Sequence, residues 1–224
     1  MRINQTQNEK QIKFFDYLAL KIKEKNTQVP PISDLSVKLG ISASSLREQL
    51  VVARELGFLD IQPRLGIRIQ PYSFTPAVVK SAAFAIECNQ ELFKEFSSLR
   101  EHLESSFFIE SIKALTNNDI EELKQLVITA NEKLSGKTIQ IPHQEHKKLH
   151  LSMYKRLNNI FVIGCLEAYW EIYENVGLDI YTDLNYLNEV WQYHHEIVEM
   201  IAKRDYLKSH DLLIKHMNLL YQRE

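Results

Sequence analysis

The chain has 224 residues, 45% hydrophobic and 25% charged, with a formal net charge of −2, which suffices for one large core or two modest ones. Its two cysteines, Cys88 and Cys165, lack paired spacing, which argues against a disulfide framework or a thiolate metal cluster and for a reducing cytoplasm. No run approaches the roughly 20 apolar residues of a membrane span, and the start MRINQTQNEKQIKFF lacks a signal-peptide core, so a cytoplasmic protein without a membrane partner is expected.

Charge is divided unevenly. The first 75 residues carry eleven Lys and Arg against seven Asp and Glu, net +4, which leaves −6 for the remainder. A basic amino-terminal part suits contact with phosphates, and an acidic remainder is repelled by them.

In chain order, Ile12, Phe15, Leu18, Leu20 and Ile22 among lysines predict a helix over residues 10–25. Ile32, Leu35 and Leu39 mark a short amphipathic helix that breaks at Gly40. Ser42, a good N-cap, starts a second helix whose apolar stripe is Leu46, Leu50 and Ala53. After Gly57 the extended runs FLDIQ and IRIQ flank PRLG, the pattern of a hairpin. The order helix, turn, helix, wing predicts a winged helix-turn-helix DNA-binding domain over residues 1–70.

Two prolines in QPYSFTPAVV place a linker at residues 71–77. Beyond it, residues 78–224 read as helical throughout: 77–114 broken once, then 117–135, 141–157, 159–178, 184–203 and 205–222. Thr116, Asn117 and Asn118 offer caps, Pro142 suits a first turn, and Asp183 caps the helix after it. The expected fold class is mainly α, a winged helix-turn-helix followed by an all-α bundle.

Four of the eight histidines fall on apolar faces. His146 and His150 are one helical turn apart, the spacing of a two-histidine metal clamp. His194 lies among Trp191, Ile197 and Val198, and His216 among Leu212, Leu213, Leu219 and Leu220. A single inward histidine is usually a core residue bonded to a carbonyl or hydroxyl, but three helices sending imidazole inward match where bundles build metal sites. The residues alone leave plain core histidines and a divalent transition-metal site as alternatives, with zinc or nickel foremost and cobalt and iron chemically allowed for the second. His195 is expected to face away from His194, and His102 and His210 to lie on the surface. Tyr169, Trp170, Tyr173 and Tyr181 suit either a pocket lining or plain core.

Residues 29–69 resemble the GntR family of transcription regulators: Pro31, Leu35, Leu39, Gly40, Ser42, Arg47, Glu48, Leu50, Gly57 and Gly66 fall in register with its signature. Ser33 and Ala43 stand where family members often carry arginine, leaving Arg47 as the matched one. From about residue 80 the chain resembles the FCD-type effector domain of the FadR branch. SLREHLE matches through Arg100, Leu103 and Glu104, LHLSMYKRLNN through His150 and Asn159, and the last two helices through His194, Asp205 and His216.

The resemblance implies a homodimer that binds a short palindromic operator in double-stranded DNA and responds to a small carboxylate effector. Arg47 is the expected base or phosphate contact on the second helix, with Arg54 in the same helix and Ser44, Ser45, Arg64 and Arg68 holding the backbone. Metal-binding members of the FCD type use one aspartate and three histidines, and His146 stands where that aspartate falls. The implied ligands here are His146, His150, His194 and His216, with His143 a substitute. Arg100 is expected to clamp an effector carboxylate, unless Glu101 and Glu104 occupy it in a salt bridge. A metal-dependent enzyme is the alternative reading, but Glu145 projects about 100° away from His146 and no other acid or base pairs with the cluster. A regulator with a purely structural metal site is the third.

Overall fold

A computed structural model describes residues 2–62, 66–176 and 183–219. The chain divides into two compact units, Met1–Ala77 and Val78–Glu224. Arg64 and Tyr181, and the side chain of Ile12, lie outside the described residues.

The first unit begins with α1 (Arg2–Lys23), β1 (Gln28–Val29), α2 (Ile32–Leu39) and α3 (Ala43–Glu55), and closes its sheet with β2 (Leu59–Gln62) and β3 (Gly66–Ile69). α2 ends because Gly40 adopts φ +66, a left-handed conformation that glycine takes without a Cβ penalty. α3 starts behind Ser42, whose hydroxyl accepts from the Ser45 amide. β2 and β3 form the expected antiparallel hairpin, with Leu59 opposite Ile69. Sequence reading missed β1, a two-residue strand on the outer side of β3 with Val29 opposite Ile67. Two residues are too few to show an alternating pattern.

The core of this unit is Phe14, Tyr17, Leu18, Leu35, Ile41, Leu46, Leu50, Ala53, Leu59 and Ile69. On α1 the buried stripe is Phe14, Tyr17 and Leu18; Leu20 and Ile22, expected to pack inward, are exposed. Lysines at 21 and 23 end this helix, and Leu20 and Ile22, which alternate with them, lie outside the stripe that α3 covers.

α4 (Thr75–Cys88) begins inside the stretch read as linker, so residues 75–77 are helical. The long helix expected over 77–114 breaks once, between α4 and α5 (Leu92–Lys113). Then follow α6 (Asn117–Ser135), α7 (His143–Tyr154), α8 (Ile160–Val176), α9 (Leu184–Ala202) and α10 (Tyr206–Asn218). Thr116 and Asp119 close a capping box on α6, Asn159 accepts from the amides of Phe161 and Val162 at the start of α8, and Asp183 and Asp205 cap α9 and α10. Pro142 sits at the N-cap of α7 rather than in its first turn.

α5 packs against α7, α8 and α10, while α9 packs against α6 and α10. Phe108, Ile112, Leu123, Leu149, Met153, Ile197, Ile201 and Leu213 fill the bundle core. Cross-links fix α5 against α7: Ser111 Oγ donates to the Met153 carbonyl at 2.7 Å, and the Tyr154 hydroxyl donates to the Glu104 carbonyl at 2.8 Å. Among the described residues no helix is long and apolar enough to cross a membrane.

Candidate metal and effector site

Three helices bring one histidine constellation together inside the second unit. His146 and His150 project from one face of α7, His194 comes from α9 and His216 from α10, and their candidate ligand atoms all lie within 4.8 Å of one another. His150, His194 and His216 are buried, and His146 is half-buried. Ring centroids stand 4.9 Å apart for His146 and His150, 5.2 Å for His150 and His194, and 4.3 Å for His194 and His216.

Glu104 on α5 orients the set. His150 Nδ1 lies 3.1 and 3.2 Å from the two Glu104 oxygens, so with the carboxylate ionised Nδ1 carries the proton and donates it there. The lone pair is left on Nε2, which faces His194 Nε2 at 3.2 Å. Two nitrogens bound tetrahedrally to one zinc-sized ion at about 2.0–2.1 Å are about 3.3 Å apart, so the spacing suits a shared ion. His146 Nε2, His194 Nδ1 and His216 Nδ1 are buried without a hydrogen-bond partner. A cluster of imidazoles with three buried nitrogens left without a partner, backed by a carboxylate, fits a divalent transition metal in donor type, number and spacing.

Electrostatics agree with neutral imidazoles. Burial, reinforced by neighbouring histidines, pushes His146 and His194 well below the usual histidine range. The same causes, burial first and then His150, bring His216 down to about 3. Burial works against charge on Glu104 too, but Arg100 and His150 more than offset it and hold the carboxyl down to about 2.

Arg100 makes the salt bridge that the sequence offered as one of its two alternatives. Its Nη1 donates to Glu104 at 2.8 Å and its Nη2 stands 3.5 Å from Glu101, and yet it also lines the cavity beside the histidines. Its guanidinium lies 4.9 Å from the centre of the Tyr169 ring. The cavity, about 40 Å³, is walled by Tyr169, Trp170, Tyr173, Tyr186, Trp191 and apolar side chains, and His143, His146, His150 and His216 reach it. The aromatic residues on α8 therefore line a pocket as well as fill core.

Other expectations fared variously. His195 and His102 are exposed. His210, expected on the surface, is half-buried instead: its Nε2 reaches the hydroxyl and carbonyl of Ser105 at 3.2 and 3.1 Å, and its ring lies against Phe108. A single-sequence pattern misses this because Ser105 lies on another helix. Glu145, considered as a catalytic base, gives both oxygens to Lys133 at 2.8 Å.

On the first unit, Ser44, Arg47 and Arg54 of α3 are exposed, whereas Leu46, Leu50 and Ala53 are buried. Arg54 pairs with Glu55 at 3.0 Å. Ser45 is half-buried and its hydroxyl accepts from Gln49 Nε2. Arg68 is exposed on β3, opposite Asp60 of β2 and Gln28 of β1.

The chain thus combines a three-stranded winged helix-turn-helix with an all-α unit that holds an internal histidine cluster. The model of the FCD domain matches residues 95–219, more than half of the chain, and the chain belongs to that family, as a regulator of the GntR type. The fold is similar to that of a GntR protein from Streptococcus agalactiae, with a TM-score of 0.71 at 16% identity, covering 94% of this chain and 98% of that one. It is also similar to McbR/YncC of E. coli, with a TM-score of 0.50 at 18% identity over 97% of this chain and 96% of that one. No curated protein sequence matches the chain.

Proposed function

We propose that the protein binds a short palindromic operator as a homodimer, and that a small organic acid, taken up at a divalent metal in the FCD unit, modulates this binding. The observation that carries the reading is the convergence of four imidazoles whose ligand atoms lie within 4.8 Å of one another, beside a cavity that Arg100 also lines. His146, His150, His194 and His216 would hold the ion, which supplies a Lewis-acidic point for an acid oxygen when bound. Glu104 holds the His150 tautomer, and Arg100 holds Glu104 in place.

For DNA, α3 is the reading helix. Arg47, exposed and paired with no carboxylate among the described residues, is the leading contact, with Ser44 beside it and Arg68 on the wing. Arg54 is a weaker contributor because Glu55 neutralises it, and Ser45 because its hydroxyl is bonded to Gln49. An effector alters operator affinity only by binding one arrangement of the dimer better than another.

The test is capture and sequencing of genomic fragments by the metal-loaded protein at moderate salt, where nonspecific phosphate binding is weakened. A shared palindrome, lost with Arg47→Ala, is the expected result. Absence of any enriched motif with metal present overturns the reading.

A further inference from the structure

Burial divides α3 into two sides. Leu46, Gln49, Leu50 and Ala53 are buried, spaced i, i+3, i+4 and i+7. Ser44, Arg47, Glu48 and Val51 have the same spacing and are exposed. The two sets are offset by two residues, about 200° round a helix, so each occupies its own side. A helix lying along the major groove reaches base edges from that same set of positions.

Charge says what the exposed side contributes. α3 carries Arg47 and Arg54 against Glu48 and Glu55, so it has no net charge, and Arg54 is paired with Glu55 at 3.0 Å. General attraction to phosphates therefore cannot hold this helix in the groove, and its contribution falls on base edges. Arg47 suits the O6 and N7 acceptors of guanine. Val51 offers neither donor nor acceptor, and the major-groove feature that an apolar side chain suits is the C5-methyl of thymine.

Val51 is 48% exposed although apolar. Its β-branched side chain keeps essentially one rotamer in a helix, so its methyls are in place before anything binds. Val52 is also exposed, but it lies about 100° further round and off this side. Four residues separate Val51 from Arg47, about 6 Å along the axis, which is just under two base-pair steps of about 3.4 Å.

We propose that Val51 is a specificity residue of the reading helix, packing against the C5-methyl of a thymine one or two base pairs from the guanine read by Arg47. This rests on the operator-binding reading above.

The test begins with selection of binding sites from a random double-stranded DNA pool by the full-length, metal-loaded protein. Each thymine of the selected palindrome is then replaced in turn by deoxyuridine, which lacks only the C5-methyl, symmetrically in both half-sites. Affinity is measured by fluorescence anisotropy for the parent and for Val51→Ala. One buried methyl contact is worth about fourfold, so the symmetric replacement is expected to weaken the parent about sixteenfold at one position, one or two base pairs from a guanine. Val51→Ala, whose new residue favours the helix, is expected to lose the sensitivity at that position alone. A parent indifferent to deoxyuridine at every thymine, or a Val51→Ala variant as sensitive as the parent at every one, overturns the inference and leaves the operator reading standing. If no sequence is selected, the operator reading falls and the inference with it.

Discussion

The two units put their polar residues in opposite places. Among the described residues of the first unit the buried side chains are apolar apart from Gln49 and Thr75, and the residues proposed to meet DNA stand outside the core on α3 and β3. In the FCD unit the buried set includes Arg100, Glu101, Glu104, His150, His194 and His216, so the chemistry lies in the core itself. A surface that reads DNA can be altered without touching stability. A site built inside a bundle cannot, because each polar member is there only with the partners that offset its desolvation.

The sharpest break of that contrast is Glu104→Ala. It leaves the Arg100 guanidinium buried with only the longer contact to Glu101 and removes the acceptor of His150 Nδ1–H. Loss of about 3–5 kcal/mol in chemical denaturation is expected, with a fall of roughly 10–100-fold in metal affinity. Glu104→Gln, which keeps the shape and one acceptor, is expected to lose less of both. Equal stability of Glu104→Ala and the parent would remove the case for an internally braced site.

Asp119 offers a test of intermediate size, remote from the histidines. Hydrogen bonds from Arg156 and Lys155 and from the Thr116 cap hold its carboxyl below the usual range. A depressed carboxyl pKa means the stabilisation is present in full above the unfolded value of about 4 and is lost as the pH falls below it. Melting of Asp119→Ala is therefore expected to fall short of the parent at neutral pH, with the gap closing in acid. A gap independent of pH would show that packing, not charge, ties α6 to the segment after α7.

The smallest stability effect belongs to Arg47→Ala. An exposed side chain with no carboxylate partner among the described residues is expected to change stability by no more than about 0.5 kcal/mol. Operator affinity, measured by gel shift across a salt series, is expected to fall, with the salt dependence reduced by about one ion if the contact is to phosphate. Destabilisation comparable to Glu104→Ala would erase the distinction between the two units.

Much of this molecule is carried by neighbours in sequence. Gly40 stops α2, Ser42 starts α3, Thr116 with Asp119 opens α6, and the four-residue spacing of His146 and His150 puts both on one face of α7. Such signals are legible because a cap, a left-handed glycine and a helical turn each involve residues a few positions apart. The two-residue β1 escaped because its only support is pairing with β3, and the buried stripe of α1 shifted because α3 decides which side is covered.

The site divides in the same way. Sequence supplied the four imidazoles and Arg100 as candidates, and it supplied Glu104 only as a neighbour one turn from Arg100. That α9 and α10 deliver His194 and His216 to the α7 pair is a matter of packing. So is Glu104 reaching across to His150 while holding Arg100, and so is the closing of aromatic rings from α8 and α9 around them. These contacts join residues up to dozens of positions apart, and their geometry is set by how apolar faces interlock in the bundle, which no local pattern in the chain encodes.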